Sequence, residues 1–189
     1  MKQLNRILLS FLILLTFVCK PREVNHYYPI DGFDSNTNER IKKFLEETKN
    51  YPKRKVATFD GDGTVLGQAP HYMADECLYE VARDNPKKKP DVIKKMQQLS
   101  NVSLEYVQLR VKFFEGDNID YLRELGVSCY KKYYAGKVFK PMVDLIKLLK
   151  ENGFEVWIIT ASPEAMYQKF LSEELQIPIT NIVGIKSVV

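Results

Sequence analysis

The chain has 189 residues, of which 45% are hydrophobic and 28% charged, and its formal net charge is +4. This composition excludes an intrinsically disordered protein, and the length favours one domain with room for an insert. The positive charge is mild and its densest run is Lys87–Lys89, so we expect no nucleic-acid partner.

The first residues have the pattern of an export signal. Lys2 and Arg6 precede a nearly unbroken apolar run over residues 7–18, which is shorter than the roughly 18 residues that a membrane-spanning helix needs. The run stops at Cys19, and Leu15 to Cys19 resemble a loose bacterial lipobox, in which the cysteine is lipidated. We expect residues 1–19 to be a signal peptide or lipoprotein leader, with a lipid anchor on Cys19 favoured over plain secretion or an uncleaved anchor. Each reading predicts an exported protein, either a membrane-anchored lipoprotein or periplasmic.

The rest of the chain divides into a tether, a core and an insert. Residues 20–52 are predicted to form a tether and one helix, with Asn36 and Glu39 as a capping pair. Residues 53–69 and 135–189 have the pattern of a core, and residues 70–134 that of a helical cap without strands. For Cys77 and Cys129 we favour two free buried thiols, although an oxidising compartment would allow a disulfide.

Three apolar segments predict the sheet. Lys55 to Phe59, Phe154 to Thr160 and Ile182 to Val189 read as buried strands that alternate with helices. Alternating strands and helices predict an α/β fold with a parallel sheet.

Two carboxylates follow the first strand directly, at Asp60 and Asp62. Along a strand they would point to opposite faces, but Gly61 and Gly63 let the chain turn tightly, so that both can face one pocket. Ligands bind at the carboxyl edge of open parallel sheets. One carboxylate can attack phosphorus, and the other can transfer a proton. Two anions that face a phosphate need a cation, for which Mg²⁺ is expected.

The segment Phe59 to Thr64, FDGDGT, resembles the first motif of the haloacid dehalogenase-like phosphatases. The resemblance implies a three-layer Rossmann-like parallel sheet with a helical cap between the first and second motifs. It makes Asp60 the nucleophile and a Mg²⁺ ligand, and Asp62 the acid/base, whose backbone carbonyl also binds the metal.

The segment IITAS resembles the second motif of that family, which binds the substrate phosphate. By resemblance Thr160, with Ala161 and Ser162 beside it, binds phosphate, while Ser162 is also explained as a helix cap before Pro163. The run Thr-Ala-Ser-Pro is similar to phosphoserine and phosphorylcholine phosphatases. The resemblance therefore implies a Mg²⁺-dependent phosphomonoester hydrolase that acts on a small phosphorylated metabolite. The oligomeric state is left open.

Two parts of the family pattern have no clear counterpart after Thr160. Lys169 and Lys186 are each better explained as solvated side chains than as the family's charge-neutralising lysine. No Gly-Asp-x-x-x-Asp metal motif follows, and without the strand that bears it the first strand would have an open edge. We therefore expect a truncated product. The alternative to an enzyme is a catalytically inactive surface lipoprotein that keeps the fold.

Other interpretations of single motifs are weaker. A calcium loop that begins at Asp60 would place Val65 and His71 where glycine and glutamate belong. A dinucleotide fingerprint fails at Leu66. His71 is better explained as a solvated or cap-lining side chain than as a ligand or acid. Four tyrosines of the insert could form an aromatic cage for a choline-like cation, but packing between helices is the preferred explanation. They are Tyr72, Tyr79, Tyr106 and Tyr121.

Overall fold

The structure, a computed structural model, describes residues 26–186. In that range the α-helices are α1 (Ser35–Thr48), α2 (Met73–Asp84), α3 (Pro90–Met96), α4 (Leu104–Phe113), α5 (Ile119–Cys129), α6 (Lys140–Glu151) and α7 (Glu164–Leu175). The strands are β1 (Lys55–Asp60), β2 (Phe154–Pro163) and β3 (Ile182–Ile185). A π-helical turn covers Tyr130–Tyr134, and a 3₁₀ turn covers Ile179–Asn181.

The three strands form a parallel sheet in the order β1-β2-β3. This arrangement confirms the predicted α/β fold with a parallel sheet. Asp60, the last residue of β1, lies opposite Ile159 of β2. Because the strands are parallel, the loop after Asp60 and the segment from Thr160 onward leave the sheet at the same edge.

The sheet is covered unequally. Phe154, Val156 and Ile158 of β2 are buried in the hydrophobic core. Side chains on the opposite face of the sheet are more exposed to solvent: Val56 is 44% exposed and Ile159 is 53% exposed. Within residues 26–186 the strand β1 pairs on one side only, so it presents the open edge that was expected.

Between residues 73 and 134 the regular elements are helices joined by short loops, without a strand, as predicted for the insert. Its last helix, α5, packs closely on α7. A Cβ atom on Gly126 would lie only 1.8 Å from the backbone oxygen of Met166, so no larger residue fits there. Arg123 adds two hydrogen bonds to Gln168 Oε1, of 3.1 and 2.9 Å. The end of the insert is therefore fixed to the helix that follows β2.

A disulfide joins Cys77 of α2 to Cys129 at the end of α5. The prediction of two free buried thiols was therefore wrong, although both residues are buried. Their Cα atoms lie 5.8 Å apart, which is within the span of a disulfide. The packing of α2 against α5 brings the two cysteines together, and this packing was not visible in the sequence.

The first helix begins earlier than predicted. Asp34 is its N-cap, and its Oδ1 accepts a hydrogen bond of 2.8 Å from the Thr37 amide. The expected pair of Asn36 and Glu39 was therefore wrong, because Asn36 already lies inside the helix. Aspartate and asparagine are nearly equal as N-caps, and the sequence offers both within three positions.

Some predictions fall outside the described residues. The leader over residues 1–19, including lipidation of Cys19, and the end of the third predicted strand are among them. None of the helices within residues 26–186 has the length and apolar character needed to span a bilayer.

Candidate active site

A cavity of about 300 Å³ lies at the carboxyl edge of the sheet. All five residues predicted for the site line it: Asp60, Asp62, Thr160, Ala161 and Ser162. We call these five the floor of the cavity. The insert and the segment before it supply the remaining lining residues, which we call the roof: Gln68, Tyr72, Asn101, Val102, Val107 and Arg110.

The loop after β1 makes the tight turn that Gly61 and Gly63 were predicted to allow. Gly63 has φ +83°, a left-handed conformation that favours glycine. At Gly61 a larger side chain would be crowded, because a Cβ atom there would lie 3.3 Å from Cβ of Thr160. The amides of Val65 and Leu66 both donate to the Gly61 oxygen, at 3.0 and 2.9 Å. The turn therefore brings Asp60 and Asp62 to one cavity.

Asp60 is the open carboxylate of the floor. It is exposed, and within residues 26–186 no side chain or amide donates a hydrogen bond to its carboxylate. It also has no ion pair with a cation in that range. Its oxygens are therefore available to a ligand or to a phosphorus atom.

Asp62 is held much more tightly. Its Oδ2 accepts a 2.8 Å hydrogen bond from Ser162 Oγ, and its Oδ1 accepts one of 2.8 Å from Tyr167 OH. Burial raises the pKa of the Asp62 carboxyl above its usual range, while these two hydrogen bonds oppose that rise. A carboxyl whose pKa is raised can carry a proton at higher pH than a solvated aspartate, which suits an acid/base.

The last residues of β2 supply the rest of the floor. Thr160 is buried, and its Oγ1 accepts a 3.1 Å hydrogen bond from the Ser162 amide. Ala161 is exposed between them. The explanation of Ser162 as a helix cap was wrong, because Pro163 is the N-cap of α7 and makes no side-chain cap. The hydroxyl of Ser162 is instead directed to Asp62.

Arg110 of α4 places a buried cation in the roof. It is only 3% exposed, and its guanidinium lies between two aromatic rings, 5.6 Å from the centroid of Tyr72 and 5.4 Å from that of Tyr106. Such stacking stabilises a guanidinium through the negative faces of the rings. The positive charge of Arg110 opposes the raised pKa of Asp62, so its field reaches the floor.

Asp75 of α2 is the partner of this arginine. Arg110 Nε lies 2.8 Å from Asp75 Oδ1, and both side chains are buried. Burial raises the pKa of Asp75, and the charge of Arg110 opposes that rise. This buried ion pair holds Arg110 at the cavity.

A comparison with known protein families identifies the family of this chain. The family model of the haloacid dehalogenase-like hydrolases matches residues 57–188. The chain belongs to this family. A search of the curated proteins found no match.

Among solved structures, this haloacid dehalogenase-like chain is similar to a phosphoserine phosphohydrolase-like protein from Francisella tularensis subsp. tularensis SCHU S4. The sequence identity is 20% and the TM-score is 0.47. The alignment covers 72% of this chain and 60% of the other. The chain therefore spans less than two thirds of that protein's length.

The donor set of this haloacid dehalogenase-like site fits Mg²⁺. The ion prefers oxygen ligands, keeps several waters and is bound by one or two carboxylates together with substrate phosphate. Asp60 offers a free carboxylate, and Asp62, whose side chain is taken by Ser162 and Tyr167, still offers its backbone carbonyl. No group of three or more metal-ligating side chains occurs within residues 26–186, so substrate and water would complete the coordination.

The two lysines considered for charge neutralisation lie away from this cavity. Lys169 pairs with Glu124 on the surface, and Lys186 lies 3.6 Å from Glu164 in a different cavity. His71 is 62% exposed, lies 3.8 Å from Glu76 and lines a neighbouring cavity of about 650 Å³.

The four tyrosines of the insert form no open cage. Tyr72 and Tyr106 flank Arg110, and the hydroxyls of Tyr79 and Tyr106 lie 3.2 Å apart. Tyr121 lies at a separate cavity. Two of the four rings therefore lie beside an arginine, while Tyr121 is 46% exposed.

The sequence interpretation missed Arg110 and Tyr167. Arg110 is one of the buried residues of α4, and the sequence interpretation did not consider it. A charged residue within a buried helical stripe is the signal that could have found it, because arginine is almost never fully buried without a partner. Tyr167 gave no such signal, since a buried tyrosine in a helix is ordinary.

Proposed function

We propose that this chain hydrolyses phosphate monoesters through an aspartyl-phosphate on Asp60. The observation that carries the proposal is the contrast between two neighbouring carboxylates in one cavity. Asp60 is open and without a partner in the described residues, whereas Asp62 is largely buried and its pKa is raised. A nucleophile needs the first setting and an acid/base needs the second.

In the first step a carboxylate oxygen of Asp60 attacks phosphorus and the bond to the ester oxygen breaks. Asp62, protonated at this stage, gives its proton to the departing oxygen, so that an alcohol leaves. In the second step Asp62, now ionised, takes a proton from a water whose oxygen attacks phosphorus. The bond to Asp60 breaks, phosphate is released and both carboxyl groups return to their starting states.

Mg²⁺, when bound by the Asp60 carboxylate and the Asp62 carbonyl, would offset the charge between the phosphate and the attacking carboxylate. The Thr160 oxygen accepts a hydrogen bond from the Ser162 amide, which leaves the Thr160 O–H group as the donor that we expect to reach a phosphate oxygen. Because donors placed in advance at developing charge are worth several kcal/mol, Thr160 is the residue of the second motif that we expect to hold the phosphate.

For the substrate we propose a small phosphate monoester that carries a second anionic group, as phosphoserine does. Arg110 supports this choice because it is a buried cation that lines the cavity. A phosphocholine-like substrate is less well supported, since its cation would meet Arg110 and the rings of Tyr72 and Tyr106 already flank that arginine. The volume of about 300 Å³ suits a small molecule.

We also propose that the folded part is exported, with a lipid anchor on Cys19. The buried disulfide supports export, because such bonds persist in oxidising compartments and are rare in the cytosol. Metabolic labelling with a radioactive fatty acid tests the anchor. Label is expected on the full chain and not on the Cys19→Ala variant, and equal labelling of both would contradict the anchor.

The enzyme proposal is tested with the full purified chain and Mg²⁺. Phosphate release is measured from p-nitrophenyl phosphate, phosphoserine and phosphocholine. We expect turnover of the first two and a loss on chelation with EDTA. A folded chain that releases no phosphate from any of the three would favour the alternative, an inactive surface lipoprotein with this fold.

A further inference from the structure

Tyr167 is a fully buried polar side chain for which the proposed function has no use. It lies on α7 with no exposed surface, and its ring centroid is 5.5 Å from that of Phe170. A buried tyrosine hydroxyl needs a hydrogen-bond partner. This hydroxyl donates a 2.8 Å hydrogen bond to Asp62 Oδ1. Burial raises the pKa of Tyr167 well above its usual value, so the hydroxyl stays a donor.

Tyr167 and Ser162 together leave Asp62 little freedom to rotate. Each occupies one of the two carboxylate oxygens, and each bond is 2.8 Å long. Rotation of the Asp62 carboxylate would break both bonds and leave the buried Tyr167 hydroxyl without a partner, which is unfavourable. The two donors thus fix the plane of the carboxylate at the cavity wall.

We propose that Tyr167 is a positioning residue that aims the Asp62 carboxyl at the leaving-group oxygen of the substrate. This inference rests on the proposed function, in which Asp62 transfers the proton. Tyr167 itself does not line the cavity, so it acts through Asp62. An acid held in the correct geometry contributes far more than one that rotates freely, because a displacement of about 1 Å can cost on the order of 100-fold in rate.

A dependence on the leaving group distinguishes positioning from a structural role. A nitrophenolate leaves without a proton, whereas an alkoxide needs one. In Tyr167→Phe we expect kcat/KM to fall about 10-fold or more for phosphoserine and less than about 3-fold for p-nitrophenyl phosphate. The matched control is Tyr130→Phe, which removes a hydroxyl from a ring stacked on the same Phe170 at 4.7 Å. It should leave the ratio of the two values unchanged.

The outcomes separate the two proposals. If the wild-type chain releases no phosphate, the proposed function fails. If the wild type is active and Tyr167→Phe lowers kcat/KM equally for both substrates, or not at all, Tyr167 is not a positioning residue. Should Tyr167→Phe fail to fold by circular dichroism, Ser162→Ala removes the other donor to Asp62 and is expected to change the ratio in the same direction. An unchanged ratio there would overturn the inference.

Discussion

The floor and the roof of the cavity hold their charges in different ways. On the floor, Asp60 and Asp62 stand two residues apart on one tight turn, and the parallel register brings Thr160 to the same edge. In the roof, Arg110 of α4 depends on Asp75 of α2 and on two tyrosine rings. A tight turn and the register of two parallel strands therefore position the floor residues, whereas the packing of separate helices positions the roof residues. We expect the floor to govern the reaction and the roof to govern the choice of substrate.

The largest effect is expected on the floor. Asp60→Asn replaces the attacking carboxylate with an amide that cannot form the aspartyl-phosphate, so kcat should fall by at least about 10³-fold. The fold should persist, because the carboxylate is exposed and has no partner among the described residues. Phosphate release and circular dichroism measure the two effects. Residual activity within 10-fold of the wild type would contradict Asp60 as the nucleophile.

A change in the roof should affect both binding and stability. Arg110→Met leaves Asp75 buried without its cation, which should cost about 3–5 kcal/mol of stability. It should also lower kcat/KM for phosphoserine by about 10- to 100-fold, since a hydrogen bond to a charged group is worth about 1.5–3 kcal/mol. The loss should be smaller for p-nitrophenyl phosphate, which lacks a second anionic group.

The double variant Asp75→Asn with Arg110→Met separates these two effects. It removes both charges, so most of the stability should return in urea unfolding while the low kcat/KM for phosphoserine remains. If activity returned together with stability, Arg110 would be a structural residue and the roof would not select the substrate.

Loss of the disulfide should act on stability more than on chemistry. Cys77→Ala with Cys129→Ala opens a bridge between positions 52 residues apart, which should cost about 2–4 kcal/mol. Urea unfolding measures this as a lower midpoint, and kcat at 25 °C should stay near the wild-type value because neither cysteine lines the cavity. The same midpoint in the wild type and the variant would indicate that the two thiols are not joined in the protein.

The smallest effect is expected at the two lysines outside the cavity. Lys169→Ala and Lys186→Ala each remove a partner of a glutamate, Glu124 or Glu164, and exposed pairs of this kind contribute about 1 kcal/mol or less. We expect kcat/KM to change less than about 2-fold in either variant. A loss above 10-fold for Lys186→Ala would show that this lysine takes part in the reaction.

The same division explains what the sequence could and could not predict. The α/β fold and the meeting of Asp60, Asp62 and Thr160 follow from the alternation of strands and helices, which predicts a parallel sheet, and from the glycines of one short loop. The Arg110–Asp75 pair, the Tyr167 hydrogen bond and the Cys77–Cys129 bridge join residues that are 35, 105 and 52 positions apart. Such pairs depend on how helices cross, which hydrophobic periodicity does not specify.

Ser162 illustrates the limit at a single position. A serine before a proline is a good N-cap by sequence statistics, and the local pattern favoured that role. In the structure the N-cap position falls on Pro163, one residue later, and the Ser162 hydroxyl donates to Asp62 Oδ2 over 2.8 Å. Tertiary contact therefore overrides the local preference.

The Cys77–Cys129 bond also closes a covalent ring. The backbone from residue 77 to residue 129 and the disulfide together make a circle that contains α3, α4 and Arg110. One end of the circle lies at α5, which Gly126 and Arg123 hold against α7. A protease that cuts the circle once would release no fragment, so the nicked chain would keep Arg110 attached to the core until the disulfide is reduced.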